Sequence, residues 1–359
     1  MVLALALILI VVAALEFHYM SPWWLTPIAS NWQQMDDALL LTFVITGVAF
    51  VVINLFVAYA VVRFRHRDGV RASADHGSSK LEWSLVIATS IGIIAMLAPG
   101  LSVYAKLISP PPNAMLFEVM GQQWQWHYRL PGKDGKLGST DVRFIGNSNR
   151  FGINPADPDG QDDLLVDGQE IHVPLQRPVR VMLRAQDVLH DFYVPQFRTR
   201  MNMVPGMVTS FWFTPTAIGR YEVMCAQLCG IGHFNMRSYV VVDEAADYAR
   251  WLAAQPTFAA TLAAPPEPGR QGRLLAQSRG CVACHSIDGS ASAGPTWKGL
   301  YGKNEIMSDG SAIKVDDAYL RESINNPKAH IVKGFAPIMP EQQFNAADLA
   351  ALVDYIKKL

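Results

Sequence analysis

No lysine or arginine occurs before Arg63, and cysteine appears only four times in 359 residues. The first absence leaves the apolar run Met1 to Leu15 without the basic flank of a secretory signal, so that run is open to two readings, a cleaved signal or a retained helix. The second absence excludes a disulfide framework, because all four cysteines fall in two short motifs. There is no internal repeat and no nucleotide or nucleic-acid signature. The net charge is −1. A Ser/His/Asp set and a catalytic carboxylate pair are missing too, which turns attention from acid–base chemistry to metals and electrons.

Long uncharged stretches are abundant instead. Ala38 to Val62 and Trp83 to Ala105 each carry no charged residue. At 1.5 Å per residue each crosses a hydrocarbon core of about 30 Å. Between them stand Arg63, Arg65, Arg67, Arg71 and Lys80 against Asp68 and Asp75, whereas residues 16–37 hold Glu16, Asp36 and Asp37. The positive-inside rule puts residues 63–80 in the cytoplasm and everything after Ala105 outside. Phe17, Tyr19, Trp23 and Trp24 cluster beyond the first apolar run as an interfacial belt would, which favours retention of a third helix.

The stretch from Cys225 to Met236, Cys-Ala-Gln-Leu-Cys-Gly-Ile-Gly-His-Phe-Asn-Met, packs two thiols, an imidazole and a thioether into twelve residues. These soft ligands select copper, and two cysteines give sulfur enough to bridge two metals. His190, in Asp187-Val-Leu-His-Asp-Phe-Tyr-Val-Pro195, supplies a remote nitrogen from a strand-rich region. The competing reading is a Cys225–Cys229 disulfide with His and Met nearby by chance. Cys281-Val-Ala-Cys284-His285 is the attachment signature of c-type haem, two thiols for thioethers and a proximal histidine. A CxxC can also serve a redox dithiol or zinc, but no second CxxC or HxxxH completes a zinc set. The distal ligand lies between Met307 and Met339. The rigid Gly334-Phe-Ala-Pro-Ile-Met-Pro340 loop favours Met339.

Punctuation divides the chain. Pro110-Pro-Pro112 ends the second span. Val179 to Arg184 and Tyr239 to Asp243 alternate as strands, and Glu244 to Gln255 reads as a short helix with Tyr248, Trp251 and Leu252 on one face. Ala263-Ala-Pro-Pro-Glu-Pro-Gly269 is a semi-rigid linker. Leu349, Leu352, Val353 and Ile356 then recur at helical spacing near the C-terminus. Asp157, Asp159, Asp162, Asp163 and Asp167 concentrate acid in one Pro/Gly-rich loop, expected to be solvated or to form a docking face for a basic donor.

From about residue 36 to 255 these motifs resemble subunit II of haem-copper cytochrome c oxidases, and residues 269–359 resemble a class I cytochrome c. The resemblance implies a multidomain fold: a transmembrane α-helical hairpin with or without one N-terminal helix, an all-β cupredoxin-like Greek-key sandwich, and an all-α cytochrome c domain. The expected boundaries are 1–30 for the N-terminal apolar segment, 31–112 for the hairpin, 113–255 for the copper-A domain, 256–268 for the linker and 269–359 for the cytochrome c domain.

By the same resemblance, Cys225 and Cys229 bridge a binuclear copper-A completed by His190, His233, Met236 and the backbone oxygen of Gln227. Cys281 and Cys284 hold one covalent haem c, with His285 and Met339 on the iron. Trp124, in Gly121-Gln-Gln-Trp-Gln-Trp126, stands where the family receives electrons, against the plainer reading of a core or rim tryptophan. Glu82 stands where the family takes up protons, against the plainer reading of a helix-end anchor. Electrons pass from cytochrome c or a membrane-bound donor through haem c and copper-A to oxygen-reducing subunit I, with subunit III as a further partner. The setting implied is the bacterial inner membrane, with both cofactor domains on the periplasmic face.

Three departures qualify the resemblance. Gln227 and Asn202 replace the family's common Glu and Asp, which weakens the case for a hard divalent ion, so magnesium is not expected. A tryptophan usual three residues after Glu82 stands here at Trp83. Two alternatives remain at this stage, the copper-A subunit of a nitric oxide reductase and a membrane-anchored copper-delivery protein.

Overall fold

The computed structural model describes residues 2–21, 26–66, 68–69, 77–146, 148–166, 170–263 and 269–359. Trp23, Trp24, Arg67, Arg71, Asp75, Asp167 and the proline-rich core of the linker, residues 264–268, lie outside the described residues. The chain forms two units, residues 1–110 with 196–198, and residues 111–195 with 199–359.

The first unit holds three helices, α1 (Val2–Met20), α2 (Gln33–Arg63) and α3 (Ser79–Leu107). Their lengths, 19, 31 and 29 residues, and their apolar composition suffice to cross a membrane. Ile53 and Ile94 are 60% and 63% exposed, a burden of outward apolar surface that suits lipid rather than water. Pro99 lies inside α3, and Lys106 Nζ donates to Gln34 Oε1 at 3.0 Å, linking the C-terminal end of α3 to the N-terminal end of α2.

The second unit begins with a sandwich of ten strands. These are β1 (Met115–Gln122), β2 (Gln125–Leu130), β3 (Leu164–Val166), β4 (Glu170–Pro174), β5 (Val179–Ala185), β6 (His190–Val194), β7 (Thr199–Met203), β8 (Thr209–Phe213), β9 (Gly219–Cys225) and β10 (Arg237–Asp243). They form two five-stranded sheets, β3-β2-β1-β5-β8 and β4-β10-β9-β6-β7. Val179, Val181 and Leu183 of β5 are fully buried while Arg180 points to water, the period of two that a half-buried strand requires. The pairings β1/β5 and β4/β10 are parallel and the others antiparallel.

Asp163 corrects the expectation of a solvated acidic loop. It is fully buried and accepts from Arg129 Nε at 2.9 Å and from the Gly138 amide at 3.1 Å, and Arg129 also reaches Glu118 at 3.1 Å. Asp157 turns its carboxylate to the Ser139 amide at 2.7 Å. These two acids therefore staple loops rather than offer charge to a partner.

Two short helices follow, α4 (Ala245–Ala253) and α5 (Phe258–Ala263). The last part of the unit is helical, with α6 (Arg270–Ser278), α7 (Cys281–Cys284), α8 (Asp317–Asn325) and α9 (Ala346–Ile356). It adds one hairpin, β11 (Asn304–Ile306) with β12 (Ala312–Lys314), which an all-α expectation leaves out. Asn345 caps α9 by accepting from the Asp348 amide at 2.8 Å. Helices α6 and α9 cross at Gly272, where a Cβ would stand 2.1 Å from the Ala351 carbonyl oxygen, so only glycine permits this approach. Leu352, Val353 and Ile356 pack there with Ala276, Trp297, Met307 and Leu320 in one apolar cluster.

Candidate metal centre and haem cleft

Neighbouring strands bring the copper-type residues together. His190 opens β6 and Cys225 closes β9, and these strands pair with Phe192 opposite Cys225. The loop from Cys225 to β10 then returns Cys229, His233 and Met236 to the same end of the sandwich. The Cys225 and Cys229 sulfurs are 3.7 Å apart, far beyond the bonded distance of about 2.05 Å, and both cysteines are free thiols. His190 Nδ1 lies 3.9 Å from Cys225 Sγ, His233 Nδ1 3.6 Å from Cys229 Sγ, and Met236 Sδ 3.9 Å from Cys229 Sγ. The Gln227 carbonyl oxygen is 3.1 Å from Cys225 Sγ.

One carbonyl, two thiols, two imidazoles and a thioether thus converge. Ligand atoms of His190, Cys225 and Cys229 all lie within 4.8 Å of one another, and all three residues are buried. Two adjacent sulfurs with a nitrogen beside each fit a pair of soft, thiophilic ions better than a hard divalent one.

Electrostatics prepares the cluster. The Cys225 thiol is held well below its ordinary value, first by its hydrogen bond with Cys229 and then, against burial, by His190. The same bond, together with burial, holds the Cys229 proton in place and pushes that thiol up. Burial pulls His190 down, but its bond to Asp187 and its contact with Cys225 outweigh that and raise it. Asp187 was not assigned a role from sequence. Its Oδ1 meets His190 Nε2 at 2.8 Å, which leaves Nδ1 facing the sulfurs, and its Oδ2 accepts from the Gln123 amide at 2.8 Å. The signal was a carboxylate three residues before a candidate ligand.

Trp124 joins this loop directly. Its Nε1 donates to the Cys229 carbonyl at 3.2 Å, and Gln123 Nε2 donates to the same oxygen at 2.8 Å. The indole lies flat on the loop backbone: a Cβ on Gly232 would stand 2.4 Å from Trp124 Cδ2. This is a surface contact with the metal loop, not a place in the sandwich core.

The second site is a cleft in the helical domain. Cys281, Cys284 and His285 stand on its wall with Trp297, and the loop carrying Pro337, Met339 and Pro340 lines it as well. His285 Nδ1 donates to the Pro295 carbonyl at 2.7 Å, which fixes the tautomer and frees Nε2. Burial lowers the His285 imidazole and keeps it neutral, as a metal ligand must be. Burial also raises Cys284 and pushes Cys281 up to about 12, the opposite of a reactive dithiol pair. An apolar cleft with two neutral thiols, a fixed imidazole and a thioether fits a covalently held haem. Met307 is elsewhere, 1% exposed in the apolar cluster. Glu82 lies in the first turn of α3, where its amide donates to Ser78 O at 3.0 Å, and belongs to neither cluster.

Comparison with known proteins follows this division. The family profile of the cytochrome c oxidase subunit II periplasmic domain matches residues 115–244, and that of cytochrome c matches residues 270–359. An alternative cytochrome c oxidase subunit 2 of Bradyrhizobium diazoefficiens is 51% identical over 259 residues, covering 72% of this chain and 94% of the relative. A cytochrome c oxidase subunit 2 of Alkalihalophilus pseudofirmus is 23% identical over 345 residues, 93% of this chain and 90% of the relative. Among solved structures, the periplasmic domain of subunit II (CoxB) of Bradyrhizobium japonicum covers 40% of this chain and 94% of its own, with 25% identity and a TM-score of 0.30.

Proposed function

Since the chain belongs to the cytochrome c oxidase subunit II family, we propose that it relays electrons through one covalent haem c and a binuclear copper-A to the oxygen-reducing centre of a partner subunit. It is an electron-transfer component of an oxidoreductase complex and associates with other oxidase subunits. Membership of this family, together with two cofactor domains in one chain, leaves neither a copper-delivery protein nor a nitric oxide reductase subunit with any specific support.

The observation that carries the reading is the convergence of four donor groups around two sulfurs 3.7 Å apart. Cys225 and Cys229 would bridge the coppers, and His190, His233, Met236 and the Gln227 carbonyl would complete them. Cys281 and Cys284 would hold the haem, with His285 and Met339 axial. When bound, the copper pair and the haem each exchange a single electron. The protein's task is then to hold and orient. Asp187 fixes the His190 ring, Pro295 fixes His285, and the rigid sandwich keeps the sulfurs from moving apart. Trp124, hydrogen-bonded to Cys229, would connect the haem cleft with the copper loop.

Three further assignments belong to the same proposal. Apolar helices followed by a periplasmic-domain family anchor the protein in a membrane with its cofactor domains outside, and we assign that membrane to the bacterial inner membrane. Glu82 would serve proton uptake at the cytoplasmic end of α3. A soluble cytochrome c or membrane-bound donor would supply electrons, and subunit III would join the assembly.

Metal analysis and electron paramagnetic resonance of the purified chain test the cofactor assignment. Two coppers, one covalent haem and an unpaired electron shared over both coppers are expected, and Cys229→Ser abolishes the shared signal while the haem spectrum persists. A four-line copper spectrum, or one copper per chain, overturns the binuclear assignment.

A further inference from the structure

A second cavity, of about 580 Å³, lies beside the haem cleft within the second unit. Its volume falls in the range of roughly 300–1,000 Å³ typical of ligand sites. The two cavities share Trp124 and His285, whereas Cys281, Cys284 and Met339 line the cleft alone. Strand register accounts for its position. β2 starts at Gln125 but pairs with β3 only from Tyr128 to Leu130, and β10 starts at Arg237 but pairs with β4 only from Tyr239 to Asp243. Among the described residues, 125–127 and 237–238 therefore each leave one sheet edge uncovered. Helix α6 adds Arg273 and Gln277 to the wall from the haem domain.

Positive charge dominates this wall. Arg150, Arg237 and Arg273 line it, against one carboxylate among the described lining residues, Asp288. That carboxylate is engaged locally, accepting from the Ser290 amide at 2.9 Å and from its hydroxyl at 2.7 Å. Arg237 shares its charge with Glu222 at 2.7 Å. Arg150 is 6% exposed and its Nη1 lies 2.7 Å from the ring nitrogens of buried His127, and a guanidinium keeps its proton even there. Trp126, 3% exposed, and Gln125 line the cavity as well. Neither Trp126 Nε1 nor Gln125 Nε2 has an acceptor among the described residues, a state in which buried N–H groups are rarely left.

We propose that this cavity is a binding site for a phosphate-bearing anion, held between Arg150 and Arg237 of the copper domain and Arg273 of the haem domain. An oxyanion brings what the wall calls for, acceptors for N–H groups and negative charge for three guanidiniums, whose planar forks match phosphate oxygens two at a time. Because the arginines come from both domains, the anion holds those domains in their observed arrangement. His285 lines the same cavity, so the bound charge also favours ferric over ferrous haem. That last consequence rests on the haem assignment, whereas the binding site does not.

Isothermal titration calorimetry of the full haem- and copper-loaded chain, at fixed ionic strength and with inorganic phosphate and pyrophosphate as probes, tests the site. One saturable site per chain is expected, weakened roughly tenfold by Arg273→Gln and further by adding Arg237→Gln. Tighter binding of pyrophosphate supports a diphosphate-bearing ligand, and equal affinities support a single phosphate group at the same site. Phenylglyoxal labelling of the native chain gives a reading that needs no variant: phosphate is expected to protect Arg237 and Arg273 while exposed Arg143 reacts as before. No saturable heat with either probe, or binding indifferent to both arginines, would overturn the site. Redox titration separates the consequence from the site: the haem potential is expected to fall as phosphate is added and to respond less in Arg273→Gln. A potential that stays fixed while phosphate binds at Arg273 removes the influence on the haem and leaves the site standing. A potential shifted by Arg273→Gln without phosphate, in a chain whose native form binds neither probe, would give the arginines to the haem propionates and overturn the proposal.

Discussion

The Trp124 indole donates to the Cys229 carbonyl oxygen at 3.2 Å, so a ring on the wall of the cleft is one hydrogen bond from one of the two clustered thiol residues. Gly232 permits this by offering bare backbone to the ring. Trp124→Phe keeps an aromatic face but removes the donor, and Gly232→Ala pushes the ring away. Both are expected to slow haem-to-copper transfer, Gly232→Ala by up to roughly 100-fold if the ring moves by an ångström. Rapid-mixing absorbance at the haem and copper bands checks this, and unchanged rates in both variants would remove Trp124 from the path.

The two methionines should separate cleanly. Met339→Ala is expected to lose the axial sulfur, lower the haem potential and abolish the near-infrared band of Met ligation, with the thioethers intact. Met307→Ala opens a cavity in the apolar cluster instead, costing about 2–5 kcal/mol of domain stability with the potential unchanged. Redox titration and thermal melting of both variants provide the check.

Much of this was legible because the chemistry is local. The ligands from Cys225 to Met236 lie within twelve residues, the haem motif within five, and the spans are long runs of one character. What escaped was set by contacts distant in sequence. Asp163 reads as one acid among five in a loop, and only the fold brings Arg129 and Gly138 to it. Asp187 has no role in the sequence until its two oxygens are seen holding His190 and the Gln123 amide. Gly232 and Gly280 read as loop glycines, whereas each is a place where another segment's atoms occupy the space of a side chain.

Asp163 gives a pH signature. Burial raises its carboxyl to about 6, against the pull of Arg129, while the unfolded chain keeps the ordinary carboxylate value near 3.8. Between those values the folded state holds more protons than the unfolded one, so this group's contribution is full below about 4 and is lost as pH rises through about 6. Melting of the copper domain between pH 4 and 7 should show that downward slope, and Asp163→Asn should flatten it while lowering stability throughout by leaving Arg129 with Glu118 as its one carboxylate partner. A slope unchanged in Asp163→Asn would assign it to another group.

Glu82 in the first turn of α3 makes a prediction about protons. Glu82→Gln in the assembled oxidase is expected to slow oxygen reduction and leave haem-to-copper transfer unchanged, since a relaying carboxylate must accept and release protons whereas a helix-end anchor need only stay solvated. Oxygen-electrode turnover with normal assembly checks it, and unaltered turnover would return Glu82 to the role of anchor.

Electrons are expected to pass inside one chain from the haem cleft to the copper loop. This is tested most directly by reducing the fully loaded chain anaerobically with less than one electron per molecule and following both chromophores. The haem should be reduced first, its reoxidation should match copper reduction in rate, and that rate should be independent of protein concentration. Copper reduced ahead of the haem, or a rate that rises in proportion to protein concentration, would contradict it.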